Sequence, residues 1–248
     1  MKKDLENFNN SSLITPRPRS LPDGRQAGAK RGGHHSSLII ALPKGRVLKE
    51  AVGLFQQMGV DCRGVLKDER RLIFETPGAG PKFMIIRAQD VPTYVEYGSA
   101  DAGIVGKDVL LEGSWDVYEP LDLGIGYCRM VVAEPKELSQ RDNPAHWTHI
   151  RVATKYPNIT MRHFQNKGIQ VEIIKLYGSV ELSPLLGLSE RVVDLVATGE
   201  TLRRNGLVEV EEIMKVTSKL IVNRASLKTK PERIKRLIED LKRVVSSL

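Results

Sequence analysis

Short apolar runs alternate with helical patterns from residue 38 onward, and this alternation limits the possible folds more than any other feature of the chain. Nine runs have the β-branched and apolar character of buried strands: SLIIAL, RLIFET, KFMIIRA, DAGIVG, CRMVVAE, IRVATKY, IQVEIIKLY, VVDLVA and KLIVNRAS. Helical spacing is found at 46–59, 160–168 and 180–188, and Pro231 opens a last amphipathic helix. We therefore predict an α/β fold with mainly parallel sheets covered by helices on both faces.

Composition indicates a reducing compartment. The chain has 248 residues, of which 41% are apolar and 27% charged, as in an ordinary globular protein. Its two cysteines, Cys62 and Cys128, form neither a disulfide framework nor a CxxC metal site, and the histidines lack zinc-ligand spacing. No apolar run approaches the roughly 20 residues that span a bilayer, and a secretory signal core is absent. We expect a cytoplasmic protein with no membrane contact.

The net charge of +8 is concentrated at the N-terminus. Residues 1–36 contain seven basic and three acidic side chains, so half of the excess lies there. This segment is rich in Ser, Asn, Pro and Gly and has no periodic apolar face, so we expect residues 1–37 to be a disordered basic leader. Organelle targeting is the alternative, although Asp4 and Glu6 are unusual in a transit peptide. The remaining charge suits small polyanionic substrates, and no nucleic-acid-binding motif accompanies it.

The stretch VVDLVATGETL, residues 192–202, places a carboxylate, two hydroxyls and a glycine at the end of a buried strand. Ligands of α/β folds bind at the carboxyl ends of strands. Gly199 allows close approach of the backbone, and the N–H groups that open the next helix suit a phosphate. Asp194 would repel that phosphate but accepts hydrogen bonds from vicinal sugar hydroxyls. The pattern therefore predicts a ribose phosphate site, the alternative being a Thr N-cap beside a buried Asp.

The segment ELSPLLGLSERVVDLVATGETL, residues 181–202, resembles the signature of the ATP phosphoribosyltransferase family. It keeps the residues of that signature at family spacing: Glu181, Gly187, Ser189, Val192, Asp194, Thr198, Gly199, Thr201 and Leu202. The resemblance extends over 38–248 and includes ALPKGR (41–46), RRLIF (70–74) and the segments 86–110 and 174–185. It does not cover the leader.

This resemblance implies a Mg²⁺-dependent pentosyltransferase that opens histidine biosynthesis. Adenine N1 of ATP attacks C1 of 5-phosphoribosyl 1-pyrophosphate, which yields N1-(5-phosphoribosyl)-ATP and pyrophosphate. A ring nitrogen is already a nucleophile, so catalysis is mostly positioning and electrostatic stabilisation. Such a site needs cations near the pyrophosphate and a carboxylate near the ribose.

The resemblance also assigns the site residues. Lys44 and Arg46 follow the first strand. By the resemblance, Arg46 contacts the pyrophosphate or the ATP phosphates, Lys44 assists it, and Arg70 helps in a neighbouring subunit's site. The residues assigned to substrate binding are Glu181, Asp194, Leu195, Val196, Ala197, Thr198, Gly199, Glu200, Thr201 and Asp101. Each charged residue has a structural alternative: a solvated surface charge for the cations, a helix-start carboxylate for Glu181, and a role in packing or capping for Asp101.

The family's fold resembles the two-lobed, type II fold of periplasmic binding proteins. We expect residues 38–125 and 217–248 to form lobe I and residues 126–216 to form lobe II, which carries the phosphoribosyl pyrophosphate loop. The long form of the enzyme carries a further C-terminal regulatory domain. This chain ends with the helix that Pro231 opens, so we expect it to resemble the short form. That form is a homo-dimer or tetramer that joins a regulatory subunit resembling histidyl-tRNA synthetase in a hetero-octamer.

Three other functions fit parts of the pattern. A different phosphoribosyltransferase would use the same Asp and Thr-Gly loop with another nitrogen nucleophile. A solute-binding protein would share the two-lobed fold but should carry a secretion signal. A nucleic-acid-binding protein would show affinity that falls steeply with salt.

Overall fold

The computed structural model describes residues 37–67, 71–78, 80–141 and 143–247. Residues 1–36 of the predicted leader, and Arg70, lie outside this range. The strands are β1 Ile39–Pro43, β2 Ile73–Glu75, β3 Lys82–Ile86, β4 Ala102–Gly106, β5 Val117–Asp122, β6 Cys128–Pro135, β7 His149–Thr154, β8 Gln170–Lys175, β9 Arg191–Val196, β10 Leu207–Val216 and β11 Ser218–Asn223. The α-helices are α1 Arg46–Gln57, α2 Val91–Glu96, α3 Lys107–Glu112, α4 Lys136–Ser139, α5 Pro157–Asn166, α6 Leu182–Leu185, α7 Glu200–Arg204, α8 Arg224–Thr229 and α9 Pro231–Val245.

The strands form two sheets, which confirms the α/β class. One sheet has the order β2-β3-β1-β4-β11-β5, and the other has the order β10-β6-β9-β7-β8. The chain passes from the first sheet to the second between β5 and β6, and it returns between β10 and β11.

The prediction of mainly parallel sheets is wrong, because both sheets are mixed. Strand β1 pairs in parallel with β3 and β4, and β7 with β8 and β9. The pairings of β11 with β4 and of β6 with β9 are antiparallel. Each of these two strands begins where the chain crosses between the sheets, at the carboxyl ends of the parallel strands. A strand that starts at that edge has to run against its parallel neighbours.

Helices cover both faces of the first sheet, and the core follows the alternation of β1. Ile40 and Leu42 pack among residues of α1 and α9, whereas Ala41 faces residues of α2 and α3. Burying an Ile or Leu side chain contributes about 1.5–3 kcal/mol. Side chains on both faces of β1 contribute this free energy of burial, which explains why the sequence of β1 is apolar throughout instead of alternating between apolar and polar residues.

All nine predicted strands are present, but β5 and β10 were not predicted from the sequence. Strand β10, LVEVEEIMKV, interleaves apolar residues with four charged ones. Among the strands of the described segments it pairs with β6 alone, at the edge of the sheet. Charged side chains are common on such edges because they prevent further pairing. Among helices in the described segments, none combines the length and apolarity that a bilayer crossing requires.

Candidate functional site

The carboxyl ends of the parallel strands from the two sheets face one another. Asp108 lies two residues beyond β4, and Tyr156 lies two residues beyond β7. The Tyr156 hydroxyl donates a hydrogen bond of 3.0 Å to Asp108 Oδ2, and both side chains are buried. Residues that follow the parallel strands of either sheet therefore reach a common region between the sheets.

A concave pocket of about 310 Å³ opens at the end of β9. Its lining contains nine of the ten residues predicted to bind substrate: Glu181, Asp194, Leu195, Val196, Ala197, Thr198, Gly199, Glu200 and Thr201, together with Leu202. The structure thus brings Glu181 next to a loop that is 13 or more residues away in sequence. The remaining member of the predicted substrate-binding set, Asp101, lies elsewhere.

The loop between β9 and α7 takes its shape from Gly199. This residue has φ 74° and ψ 5°, a left-handed conformation that glycine adopts at no steric cost. Helix α7 begins at the next residue, so the first N–H groups of the helix have no intrahelical acceptor. The Thr198 hydroxyl, 3.4 Å from the Glu200 nitrogen, is exposed beside them. The loop therefore offers backbone and hydroxyl donors to an anion.

Asp194 is one of three acidic residues in this pocket, with Glu181 and Glu200. Its carboxylate accepts a 2.8 Å hydrogen bond from the Leu195 N–H and lies largely away from solvent. Burial raises the pKa of Asp194 above its ordinary value; the Leu195 N–H opposes this rise, the Glu181 carboxylate adds to it, and Lys155 opposes it. A carboxylate that lies in a pocket and whose pKa is raised by burial is typical of ligand-binding positions.

A second cavity, of about 610 Å³, lies beyond the carboxyl end of β1. Cations and apolar side chains line it together: Lys44, Arg46, Lys49 and Arg71 with Leu48, Val65, Leu66, Phe74 and Ile85, and with Gly45. Lys44 and Arg46, both predicted from the sequence, are therefore in the same cavity. Such a lining suits a ligand with phosphates and an apolar ring.

Arg46 also contacts the segment that crosses between the sheets. Its guanidinium donates to the carbonyl oxygens of Gly126 at 3.1 Å and Tyr127 at 3.0 Å. Glu50 accepts from the Gly126 N–H at 2.7 Å, so α1 holds this crossing at two points. Burial raises the pKa of the Cys128 thiol to about 11, and charges on Asp108, Arg46 and Asp194 all act on that thiol. Arg46 of the second cavity and Asp194 of the first pocket therefore both influence Cys128, the first residue of β6.

The structure does not bring Asp101 to either pocket. Asp101 precedes β4 and so lies at the amino end of the parallel strands, opposite the site. Its carboxylate accepts from Lys230 Nζ at 2.8 Å, Ser226 Oγ at 2.7 Å and the Ile39 N–H at 2.9 Å. These contacts tie α8 and α9 to the sheet. Asp101 therefore has the packing role that the sequence offered as its alternative.

Three residues near the site were not singled out from the sequence. Asp108, Lys155 and Tyr156 each follow a parallel strand within two residues. Burial raises the pKa of Asp108, and the Tyr156 hydroxyl and Lys155 oppose that rise. The rule that identified Asp194, polar residues at the carboxyl end of a strand, identifies these three when it is applied to β4 and β7.

Comparison with known proteins identifies related chains. A family model described as ATP phosphoribosyltransferase matches residues 87–243. An ATP phosphoribosyltransferase of Citrifermentans bemidjiense is 62% identical over 204 residues, which cover 82% of this chain and 96% of the relative. A solved ATP phosphoribosyl transferase (HisG:HisZ) complex from Thermotoga maritima is similar with a TM-score of 0.70 and 36% identity, over 85% of this chain and 100% of the other.

The fold is also similar to that of a periplasmic protein. The aliphatic sulphonate binding protein SsuA from Escherichia coli matches with a TM-score of 0.54 and 13% identity, over 85% of this chain and 68% of SsuA. At this identity the likeness concerns the fold alone, and it confirms the expected periplasmic-binding-protein-like architecture.

Proposed function

The chain belongs to the ATP phosphoribosyltransferase family, and from this membership we propose that it joins adenine N1 of ATP to C1 of 5-phosphoribosyl 1-pyrophosphate. The products are N1-(5-phosphoribosyl)-ATP and pyrophosphate, in the first step of histidine biosynthesis. The observation that carries the proposal is the pocket at the end of β9, where Asp194 and the Thr198–Thr201 loop lie side by side.

The Thr-Gly loop receives the 5-phosphate of the sugar. The α7 N–H groups and the Thr198 and Thr201 hydroxyls donate to its oxygens, and the left-handed conformation of Gly199 sets the bend of the loop. Asp194 accepts from the ribose hydroxyls, with Glu181 as a second acid in the same pocket. One pocket can hold both groups because they bind opposite ends of the ribose.

The cationic cavity receives the phosphates of the pyrophosphate or of ATP. Arg46 offers a planar set of donors that matches phosphate oxygens, Lys44 adds charge, and the apolar floor suits the adenine ring. We assign Lys49 and Arg71 to the same charge cluster, since both line this cavity. Arg70 keeps its proposed role in a neighbouring subunit's site.

The chemistry follows from these positions. Adenine N1 attacks with its own lone pair, so no side chain has to remove a proton first. Positive charge grows on the ribose as the bond to pyrophosphate breaks, and the Asp194 carboxylate stabilises it. Negative charge grows on the leaving group, where Lys44 and Arg46 offset it.

Family identity implies a divalent metal, and we propose Mg²⁺. Within the described residues, no group of three or more His, Cys, Asp or Glu side chains is placed to hold a metal. Mg²⁺ is commonly bound by one or two carboxylates and by substrate phosphates, and the pair Glu181 and Asp194 fits that donor set. When bound, the ion neutralises charge on the pyrophosphate.

The two sheets correspond to two lobes in this proposal. Residues 38–125 and 217–248 form lobe I, residues 126–216 form lobe II, and the substrates meet between them. The solved Thermotoga maritima relative is a HisG:HisZ complex. We infer that this chain likewise forms a homo-dimer or tetramer that joins a regulatory subunit, resembling histidyl-tRNA synthetase, in a cytoplasmic hetero-octamer.

Product analysis tests the proposed function. The chain, alone and with the regulatory subunit, is incubated with ATP, phosphoribosyl pyrophosphate and Mg²⁺, and N1-(5-phosphoribosyl)-ATP is identified by mass spectrometry. We expect product with ATP and none after chelation of the metal. Pyrophosphate release with a different nitrogen base, but not with ATP, would identify another phosphoribosyltransferase.

Gly199→Ala should weaken binding of the sugar phosphate. Alanine at φ 74° costs about 1–2 kcal/mol, and its Cβ would lie 2.8 Å from Glu209 Oε1 and 3.0 Å from an Arg203 guanidinium nitrogen. The loop then moves away from the phosphate, so KM for phosphoribosyl pyrophosphate should rise about tenfold. Steady-state kinetics at saturating ATP measures this change.

Gly206→Ala is the matched control for this substitution. Gly206 has φ 70° and ends the same helix, but a Cβ there meets no atom within 4 Å. The backbone penalty is therefore equal, whereas the pocket is untouched. An equal rise in KM for both variants would show that general strain, and not the position of the loop, is responsible.

A further inference from the structure

Helix α3 contacts the start of helix α5 across the gap between the two sheets. Its first residue, Lys107, donates through the backbone N–H to the Thr217 carbonyl at 2.9 Å, where the chain crosses back to the first sheet. One turn apart on α3, Asp108 and Glu112 both reach the segment that begins α5. Asp108 accepts from the Tyr156 hydroxyl, and Glu112 contacts the next residues.

Glu112 supplies the N-terminal cap that α5 lacks. The residue before the helix, Tyr156, makes no side-chain cap hydrogen bond, and Pro157 has no N–H. Glu112 Oε1 accepts from the Asn158 N–H at 2.9 Å, and Oε2 accepts from the Ile159 N–H at 3.0 Å. These are the two N–H groups that a local N-cap side chain normally satisfies. A carboxylate at a helix N-terminus is also favoured by the helix dipole.

Backbone carbonyls of α3 strengthen the same contact. The Asn158 side chain donates to the Glu112 carbonyl at 2.8 Å, and the Arg162 guanidinium donates to the Leu111 carbonyl. The contact therefore fixes both the position and the direction of α5 relative to α3. It lies immediately beside Lys155 and Tyr156, which follow β7 into the site.

We propose that Glu112 is a positioning residue for the transfer reaction, which holds the start of α5 so that the two halves of the site are aligned. This inference rests on the proposed function. Asp194 and the Thr-Gly loop belong to the second sheet, whereas Lys44 and Arg46 belong to the first. Glu112 touches neither pocket lining, so it acts through the position of one sheet relative to the other.

Loss of this alignment should lower kcat more than it raises KM. In the ground state the ribose and 5-phosphate of phosphoribosyl pyrophosphate keep their contacts in the Asp194 pocket, and only the pyrophosphate contacts with Lys44 and Arg46 weaken, so binding falls less than the rate. The attacking nitrogen and C1 are held by different halves, and a misplacement of about 1 Å between reacting atoms can cost about 100-fold in rate. A residue that contributed only to folding would leave both parameters of the folded fraction unchanged.

The experiment compares Glu112→Ala, Glu112→Gln and a control, Glu239→Ala, in the complete chain with its regulatory subunit. Glu239 is exposed on α9 and belongs to no part of the site. We expect Glu112→Ala to lower kcat about 10- to 100-fold with KM for phosphoribosyl pyrophosphate changed less than about threefold. Glu112→Gln keeps one acceptor oxygen and should be intermediate, and the control should match wild type.

Amide hydrogen exchange provides a readout that does not depend on turnover. The Asn158 and Ile159 N–H groups should exchange faster in Glu112→Ala than in wild type, and the β9 amides should not change. If the alanine variant does not fold, Glu112→Gln decides the outcome with the same two measurements. An active wild type whose folded Glu112 variants keep wild-type kcat would overturn this inference and leave the proposed function standing. A wild type that forms no product from ATP with its partner present would overturn both.

Discussion

Asp194→Asn is expected to reduce kcat by about 1,000-fold without lowering the stability of the fold. The amide keeps the shape of the side chain and an acceptor for the Leu195 N–H, but it removes the charge that offsets the positive ribose. The effect on stability follows from the pKa of the half-buried carboxylate, which burial raises. The folded chain holds the Asp194 proton more tightly than the unfolded chain does. Folding stability therefore falls as pH rises from the ordinary pKa of an aspartate through the raised pKa of the folded state. Above that range the ionised group opposes folding, and the neutral amide does not.

The comparison with Asp101→Asn makes the prediction specific. Asp101 is 7% exposed and paired with Lys230, so its loss leaves a partly buried ammonium group unpaired. Removing one partner of a buried pair costs about 3–5 kcal/mol, less here because Lys230 reaches solvent. We expect a lower unfolding midpoint with kcat retained, the opposite of Asp194→Asn. Thermal unfolding and initial rates measure both variants, and near-native turnover of Asp194→Asn would contradict the site.

Arg46→Ala is expected to lower kcat/KM by about 100- to 1,000-fold. Its guanidinium lines the cationic cavity and can donate two parallel hydrogen bonds to phosphate oxygens, and charge on the leaving pyrophosphate is greatest in the transition state. Arg46→Lys keeps the charge but loses the planar donor pair, so it should recover only part of the rate. Initial rates at varied phosphoribosyl pyrophosphate measure the series.

Glu50→Ala distinguishes the contact of Arg46 with the crossing between the sheets from its proposed contact with phosphate. Arg46 donates to the Gly126 and Tyr127 carbonyls, and Glu50 accepts from the Gly126 N–H, so both residues hold the crossing between the sheets. Glu50 carries no positive charge and cannot stabilise a phosphate, and its 3.9 Å ion pair with Arg46 Nε is a weak one between partly exposed side chains. If Glu50→Ala slowed the reaction as much as Arg46→Ala, the crossing and not the pyrophosphate would explain the effect of Arg46.

The Thr-Gly pocket could be predicted from the sequence because it is local. Residues 194–201 are consecutive, and a strand, a glycine in a left-handed conformation and a short helix place their donors without help from distant residues. The buried strands were predictable for a similar reason, since continuous apolar runs reveal burial on both faces. Strand β10 could not be predicted in this way, because its charged residues are typical of an edge strand. Whether a strand lies at an edge depends on the rest of its sheet.

Periodicity in a sequence predicts which face of an element is buried. It does not predict which distant residues will lie beside each end of a strand. Asp101 and Asp108 flank the same strand, β4, and in the sequence both are acids beside an apolar run. Only the parallel pairing of β1 with β4 places Asp101 at the amino edge with Lys230 and Asp108 at the carboxyl edge with Tyr156, which is 48 residues away. Contacts between residues so far apart in sequence depend on strand order and on the path of the two crossings between the sheets. The contact between α3 and α5 is therefore determined by the tertiary structure alone.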